Sequence, residues 1–165
     1  MANWDAIVCE LPAMRRYARG LVHDKGLADD LVQSSAERAF HKWHLFQSQK
    51  KLRPWLFRIL HNLYIDYLRQ NSVLESLHES FDHVADPCPP GWMTSDLTVA
   101  LMKIKPAYRE VLLLADVEEF SYQEIGIILG VPKGTVMSRL SRAREAMREL
   151  LKEYRHQSDR VRTLL

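Results

Sequence analysis

Apolar residues recur along this chain at intervals of three and four, the spacing that lines one face of an α-helix. No alternating run of β-branched residues flanked by turn formers occurs in its 165 residues. The pattern predicts an all-α protein. Residues 5–70 read as helices, with glycine confined to Gly20 and Gly26 and with Pro54 where a helix would begin. The texture changes over 71–96, where Asp86-Pro87-Cys88-Pro89-Pro90-Gly91 cannot continue a helix. Leu74, Leu77 and Phe81 offer a short apolar face ahead of those prolines. Helical texture returns from 97 to about 155, punctuated by Gly126, Gly130, Pro132 and Gly134. Two small helical domains, 5–70 and 97–155, joined by a flexible linker over 71–96, are therefore expected.

The second domain carries the sharpest local signal. Ser121-Tyr122-Gln123-Glu124 is a capping box, in which the serine caps a backbone N–H three residues on and the glutamate reaches back. The helix it starts carries Ile125, Ile128 and Leu129 on one face. Gly130 can take the left-handed conformation that ends it, and Pro132 forbids its continuation. A second helix from about Lys133 completes a helix-turn-helix, whose second helix enters the DNA major groove. With Val136 as origin and 100° per residue, Leu140, Ala143, Met147 and Leu150 fall within about 40° of it and form the buried stripe. Thr135, Ser138 and Arg142 lie opposite, flanked by Lys133 and Arg139. A basic, hydroxyl-bearing face at a helix N-terminus suits phosphate and guanine edges.

Charge sharpens this division. The net charge of +2 averages over strong asymmetry. Residues 133–162 hold nine Lys or Arg against four Asp or Glu, a local +5, whereas no Lys or Arg stands between Arg69 and Lys103. A basic end and an acidic middle predict two different partners. The acidity of the linker fits a nucleic-acid mimic in a basic cleft as well as a plain soluble tether. Cys9 and Cys88 lack any metal-ligand or redox spacing and read as free thiols of a reducing cytosol. No signal peptide or apolar run of ~18 residues is visible, so a cytoplasmic protein without membrane contact is expected. His23, His41, His44 and His61 converge with no carboxylate or Cys pair, and are expected as satisfied or surface histidines. No metal, cofactor or catalytic residue is implied.

The stretches Arg109–Leu114, Phe120–Gly126 and Leu129–Arg144 closely resemble region 4 of the extracytoplasmic-function (ECF) sigma factors of bacterial RNA polymerase. In the first half, Asp30-Leu31-Val32-Gln33 resembles the region 2 surface that docks on the polymerase clamp helices, although Ser34 stands where many relatives carry an acidic residue. Asp30, Gln33 and Glu37 fall within about 60° on a helix. The run Arg53–Arg69 resembles regions 2.3 and 2.4, including Trp55-Leu56 and an Asn four residues past Arg58. Arg58, Asn62 and Arg69 share one face within about 40°. Trp55, Phe57 and Tyr64, spaced among Leu and Ile, are expected in the core.

The resemblance spans about residues 11–70 and 97–152. It implies a transcription initiation factor, not an enzyme, whose partners are core RNA polymerase, promoter DNA and an anti-sigma factor. It implies polymerase docking through Asp30, Leu31, Gln33 and Glu37. It places the melted −10 strand against Phe46, Lys50, Lys51, Arg53, Arg58, Asn62 and Arg69, and the −35 duplex against Lys133, Thr135, Ser138, Arg139 and Arg142. Two other readings stay open from the residues alone. A stand-alone helix-turn-helix regulator would explain nothing in 27–69, and a polymerase adaptor that never reads DNA would leave the Lys133–Arg142 face without a use.

Overall fold

The computed structural model describes residues 4–22, 24–46, 51–77 and 96–163. Helices make up its regular structure, and no strand occurs among the described residues. Contacts divide the chain into two compact units, Met1–Cys88 with Ile127–Gly130, and Pro89–Gly126 with Val131–Leu165.

The first unit is built from α1 (Trp4–Val22), α2 (Lys25–His41) and α3 (Leu52–Leu77), with a single 3-10 turn at Trp43–Leu45. Asp24 starts α2 by accepting the Leu27 N–H at 2.6 Å. The buried face of α2 is made of Ala28, Leu31, Val32, Ser35, Ala36 and Ala39, mostly small residues that let α1 and α3 approach closely. Ser35 meets its buried hydroxyl's need by donating to the Leu31 carbonyl at 2.6 Å. Into that seam α1 sends Ile7, Met14, Tyr17 and Leu21, and α3 sends Leu56, Phe57, Leu60 and Tyr64. The Tyr17 and Phe57 rings meet at 5.4 Å. Phe57 and Tyr64 are thus core residues, as their spacing predicts, whereas Trp55, expected with them, is only half-buried. The helix α3 runs on to Leu77, so Leu74 and Leu77 continue it through the start of the segment expected as linker. Phe81, the proline cluster and most of the acidic stretch lie outside the described residues.

The second unit comprises α4 (Asp96–Lys103), α5 (Pro106–Leu112), a π-helical turn (Leu113–Val117), α6 (Tyr122–Leu129) and α7 (Lys133–Thr163). Both α4 and α5 pack on α7. The unit's buried apolar residues include Ala100, Leu101 and Ile104, then Val111, Leu113 and Leu114, then Ile125, Val136, Leu140 and Ala143. The C-terminal carbonyls of α4 are closed by a side chain from the next helix. Arg109 donates to the carbonyls of Leu101, Met102 and Ile104 at 2.9, 2.7 and 3.2 Å. The π turn, invisible in the periodicity, is set by the Glu118 N–H reaching back to the Leu113 carbonyl at 3.0 Å. Glu119 then takes φ +57°, a left-handed conformation costly for a side chain with a Cβ.

Candidate nucleic-acid interface

The helix-turn-helix is assembled by short-range bonds. The Ser121 N–H donates to Glu124 Oε2 at 2.9 Å, and the Glu124 N–H donates to Ser121 Oγ at 3.3 Å, closing the capping box. Gly130 sits at φ +67°, and the Val131 N–H returns to the Gly126 carbonyl at 3.0 Å, a Schellman closure of α6. Pro132 then receives the N–H groups of Thr135 and Val136 at 2.9 and 3.1 Å and opens α7. The turn is tight enough that a Cβ on Gly126 would lie 2.8 Å from the Val131 carbonyl oxygen. The requirement at Gly126 is therefore steric, set by backbone passing over backbone.

On α7, Val136, Leu140 and Ala143 are buried, as the periodicity requires, whereas Met147 and Leu150 of the same expected stripe are only half-buried. Lys133, Ser138 and Arg142 are exposed, while Thr135 and Arg139 are half-buried. Ser138 Oγ donates to the Thr135 carbonyl at 3.1 Å. Not every base on α7 is free for DNA. Arg144 is engaged by Asp116 of the π turn, with Nη2 at 2.6 Å from Oδ1 and Nε at 3.2 Å from Oδ2. Beneath α7, Glu110 is only 6% exposed. Burial raises its carboxyl to about 7, against the opposing pull of Arg139 and Arg109.

In the first unit, Asp30, Gln33 and Glu37 form an exposed strip along α2, with Gln33 Nε2 donating to Glu37 Oε1 at 3.1 Å. Leu31 is corrected out of that surface. It is 7% exposed and faces the core, because it sits a hundred degrees around the helix from Asp30. Arg58, Asn62 and Arg69 are exposed on α3, with Arg69 3.9 Å from Asp66. Lys51 is exposed at the start of that face, and Lys50 lies outside the described residues.

Arg53 is a second correction. Its Nε lies 3.1 Å from Glu10 Oε2 on α1, and its guanidinium carbon 5.5 Å from the Phe57 ring centroid. It braces α3 against α1 instead of lying open on a phosphate track. His61, bordering Asn62 in sequence, is neither surface nor satisfied. It is 7% exposed, its Nδ1 has no hydrogen-bond partner among the described residues, and desolvation lowers its pKa to about 4. Sequence reasoning also missed an aromatic cluster around Phe46. Phe46 lies 5.3 Å from Trp43 and 5.1 Å from Trp55, all three half-buried. The three-residue spacing of Trp43 and Phe46 was the available signal.

Comparison with known proteins shows two family matches in the order of the two units. Residues 7–61 match the sigma2 domain of PhyR, and residues 95–147 match sigma-70 region 4. The chain is 34% identical to the ECF RNA polymerase sigma factor EcfG of Rhodopseudomonas palustris, over 89% of this chain and 83% of the relative. This chain belongs to the ECF sigma factors. It is 34% identical also to the ECF sigma factor SigE of Mycolicibacterium smegmatis, matching over 93% of its own length but spanning only 63% of that relative. Among solved structures, the sigma factor RpoE of Bartonella quintana in complex with the anti-sigma factor NepR matches with a TM-score of 0.78 and 33% identity, over 90% of this chain and 95% of that one. CnrH in complex with the cytosolic domain of CnrY matches with a TM-score of 0.68 and 25% identity, over 90% and 86%. As a member of this family the chain is a transcription initiation factor. No helix among its described residues is long and apolar enough to cross a membrane.

Proposed function

We propose that this sigma factor works in the cytoplasm, docks on core RNA polymerase through the Asp30/Gln33/Glu37 strip, and holds the melted −10 strand against Lys51, Arg58, Asn62 and Arg69. Residues 5–70 carry those two tasks, and 97–155 read the −35 duplex through Lys133, Thr135, Ser138, Arg139 and Arg142. Residues 71–96 join them. The carrying observation is that the chain presents two exposed surfaces of different chemistry in separate units. One is acidic and amide-bearing on α2, and the other is basic and hydroxyl-bearing at the start of α7. An acidic strip repels duplex DNA and favours a protein partner, whereas the α7 face offers donors to phosphate and to guanine. An anti-sigma factor is a further partner, since the solved RpoE and CnrH structures are complexes of that kind.

A stand-alone helix-turn-helix regulator leaves the α2 strip and the α3 face without a use. Run-off transcription with core polymerase and co-elution with it test the assignment together. Asp30→Arg should abolish co-elution while leaving the fold intact, and Arg142→Ala should keep co-elution but relax the −35 preference. Normal co-elution of Asp30→Arg sinks the docking surface. Equal loss of core binding in Arg142→Ala sinks the division of labour.

A further inference from the structure

Trp4, Val8 and Phe40 are large apolar side chains of the first unit that stand 45%, 41% and 47% exposed. Scattered singly, such residues would need no explanation, but these are gathered in one place. The Trp4 and Phe40 rings meet edge to face with centroids 5.6 Å apart, bridging the start of α1 to the end of α2. Val8 follows Trp4 by one turn, about 40° away on the same face of α1. Their neighbours Ile7 and Ala39 are fully buried, so the core is already sealed beneath the patch. The position of the patch is more telling than its size. Phe40 lies two turns past Gln33 and within about 20° of it around α2. Glu37 stands between them, accepting from Gln33 at 3.1 Å. The exposed acidic and amide-bearing strip therefore runs without a break into apolar surface, over about 15 Å from Asp30 to Phe40.

We propose that Trp4, Val8 and Phe40 form the apolar anchor of the surface that docks on core RNA polymerase, with the Asp30/Gln33/Glu37 strip as its charged approach. This rests on the assignment of that strip to polymerase. The occupant is a segment of core polymerase that presents an apolar side chain beside cations, the complement of an apolar patch beside carboxylates. The two halves contribute differently. Charges at an interface steer the encounter and are screened by salt. Desolvated aromatic side chains hold the complex once it has formed. Edge-to-face packing fixes both rings before the partner arrives, which lowers the entropy lost on binding.

The test follows association and dissociation of the full chain with core polymerase at low and high salt. The variants are Asp30→Arg, Glu37→Gln, Trp4→Ser and Phe40→Ser. Trp4→Ser and Phe40→Ser should each speed dissociation by roughly tenfold or more, with the salt dependence of association unchanged. Glu37→Gln should instead slow association and flatten its salt dependence. Wild-type dissociation rates in both serine variants overturn the proposal, and if Asp30→Arg still abolishes binding, the docking strip stands without this anchor. Full binding by Asp30→Arg removes the strip from the polymerase surface, and the anchor with it. Self-association of the wild type that either serine variant abolishes makes the patch a contact between copies of this chain, which also overturns the proposal. Should the serine variants lose their helical circular dichroism, photo-crosslinking with core polymerase replaces them. Phe40→p-benzoylphenylalanine must then join the same polymerase subunit as the same substitution at Ser34, which is exposed beside the strip. A crosslink from position 40 to another subunit, or none, overturns the anchor.

Discussion

The two units of this sigma factor are built on opposite principles. In the second, the recognition motif is held by bonds between residues three to five apart: Ser121 with Glu124, Val131 with Gly126, Thr135 with Pro132. In the first, the face proposed to meet nucleic acid stands on a helix braced from a distance, with Arg53 reaching Glu10 across 43 residues of sequence. Geometry set locally survives changes elsewhere in the unit. Geometry set by packing transmits them. The difference extends to buried ionisable groups, since the first unit hides a base, His61, and the second an acid, Glu110.

The largest expected effect breaks the comparison along pH. The neutral form of His61 is favoured by folding, its pKa falling from 6.5 to about 4. Its contribution is present above 6.5 and lost as pH falls through about 4. The Glu110 carboxyl is raised from 4.5 to about 7, so its contribution is complete below 4.5 and lost as pH rises through about 7. Each shift corresponds to about 3 kcal/mol at its limit. Amide exchange of the intact chain between pH 4 and 7.5 should show the first unit weakening as pH falls while the second strengthens. His61→Leu should flatten the first trend and Glu110→Gln the second. Slopes of the same sign in both units would refute the assignment.

Gly126→Ala comes next. The new Cβ meets the Val131 carbonyl oxygen at 2.8 Å, and backbone cannot yield as a side chain would. The cost should be about 1–3 kcal/mol in the second unit, with −35 binding weakened and the first unit's exchange unchanged. Urea unfolding followed by amide resonances separates the two, and a loss shared by both units would show that the motif is less self-contained than its bonding suggests.

The smallest effect sharpens the same point with the opposite sign. Glu119 sits at φ +57°, and Glu119→Gly should stabilise the second unit by about 1 kcal/mol through relief of that strain. A destabilised variant would mean that the Glu119 side chain contributes more than its backbone costs.

These contrasts explain what the sequence could convey. The capping box, the left-handed Gly130 and the buried stripe of α7 were readable because each lies within one or two turns of chain. Asp30, Gln33 and Glu37 were readable by angle, and the same angle shows why Leu31 belongs inside: a contiguous string is not a contiguous helix face. Arg53 looked like a free cation because its partner Glu10 is on another helix. The burial of His61 likewise depends on packing that no local pattern reports. The burial of Glu110 was invisible for the same reason.

The length of α3 has a consequence of its own. Among the side chains of α3 that the structure describes, Tyr64 is the last buried one and Leu68, Arg69 and Gln70 are exposed, while the helix itself continues to Leu77. At 1.5 Å per residue, this overhang beyond Tyr64 is about 20 Å long. The chain therefore departs from the first unit at an azimuth fixed by helical phase. Removing one residue from the overhang shortens it by only about 1.5 Å but swings the point of departure by about 100°. Direction, far more than reach, is the quantity that insertions and deletions here would alter.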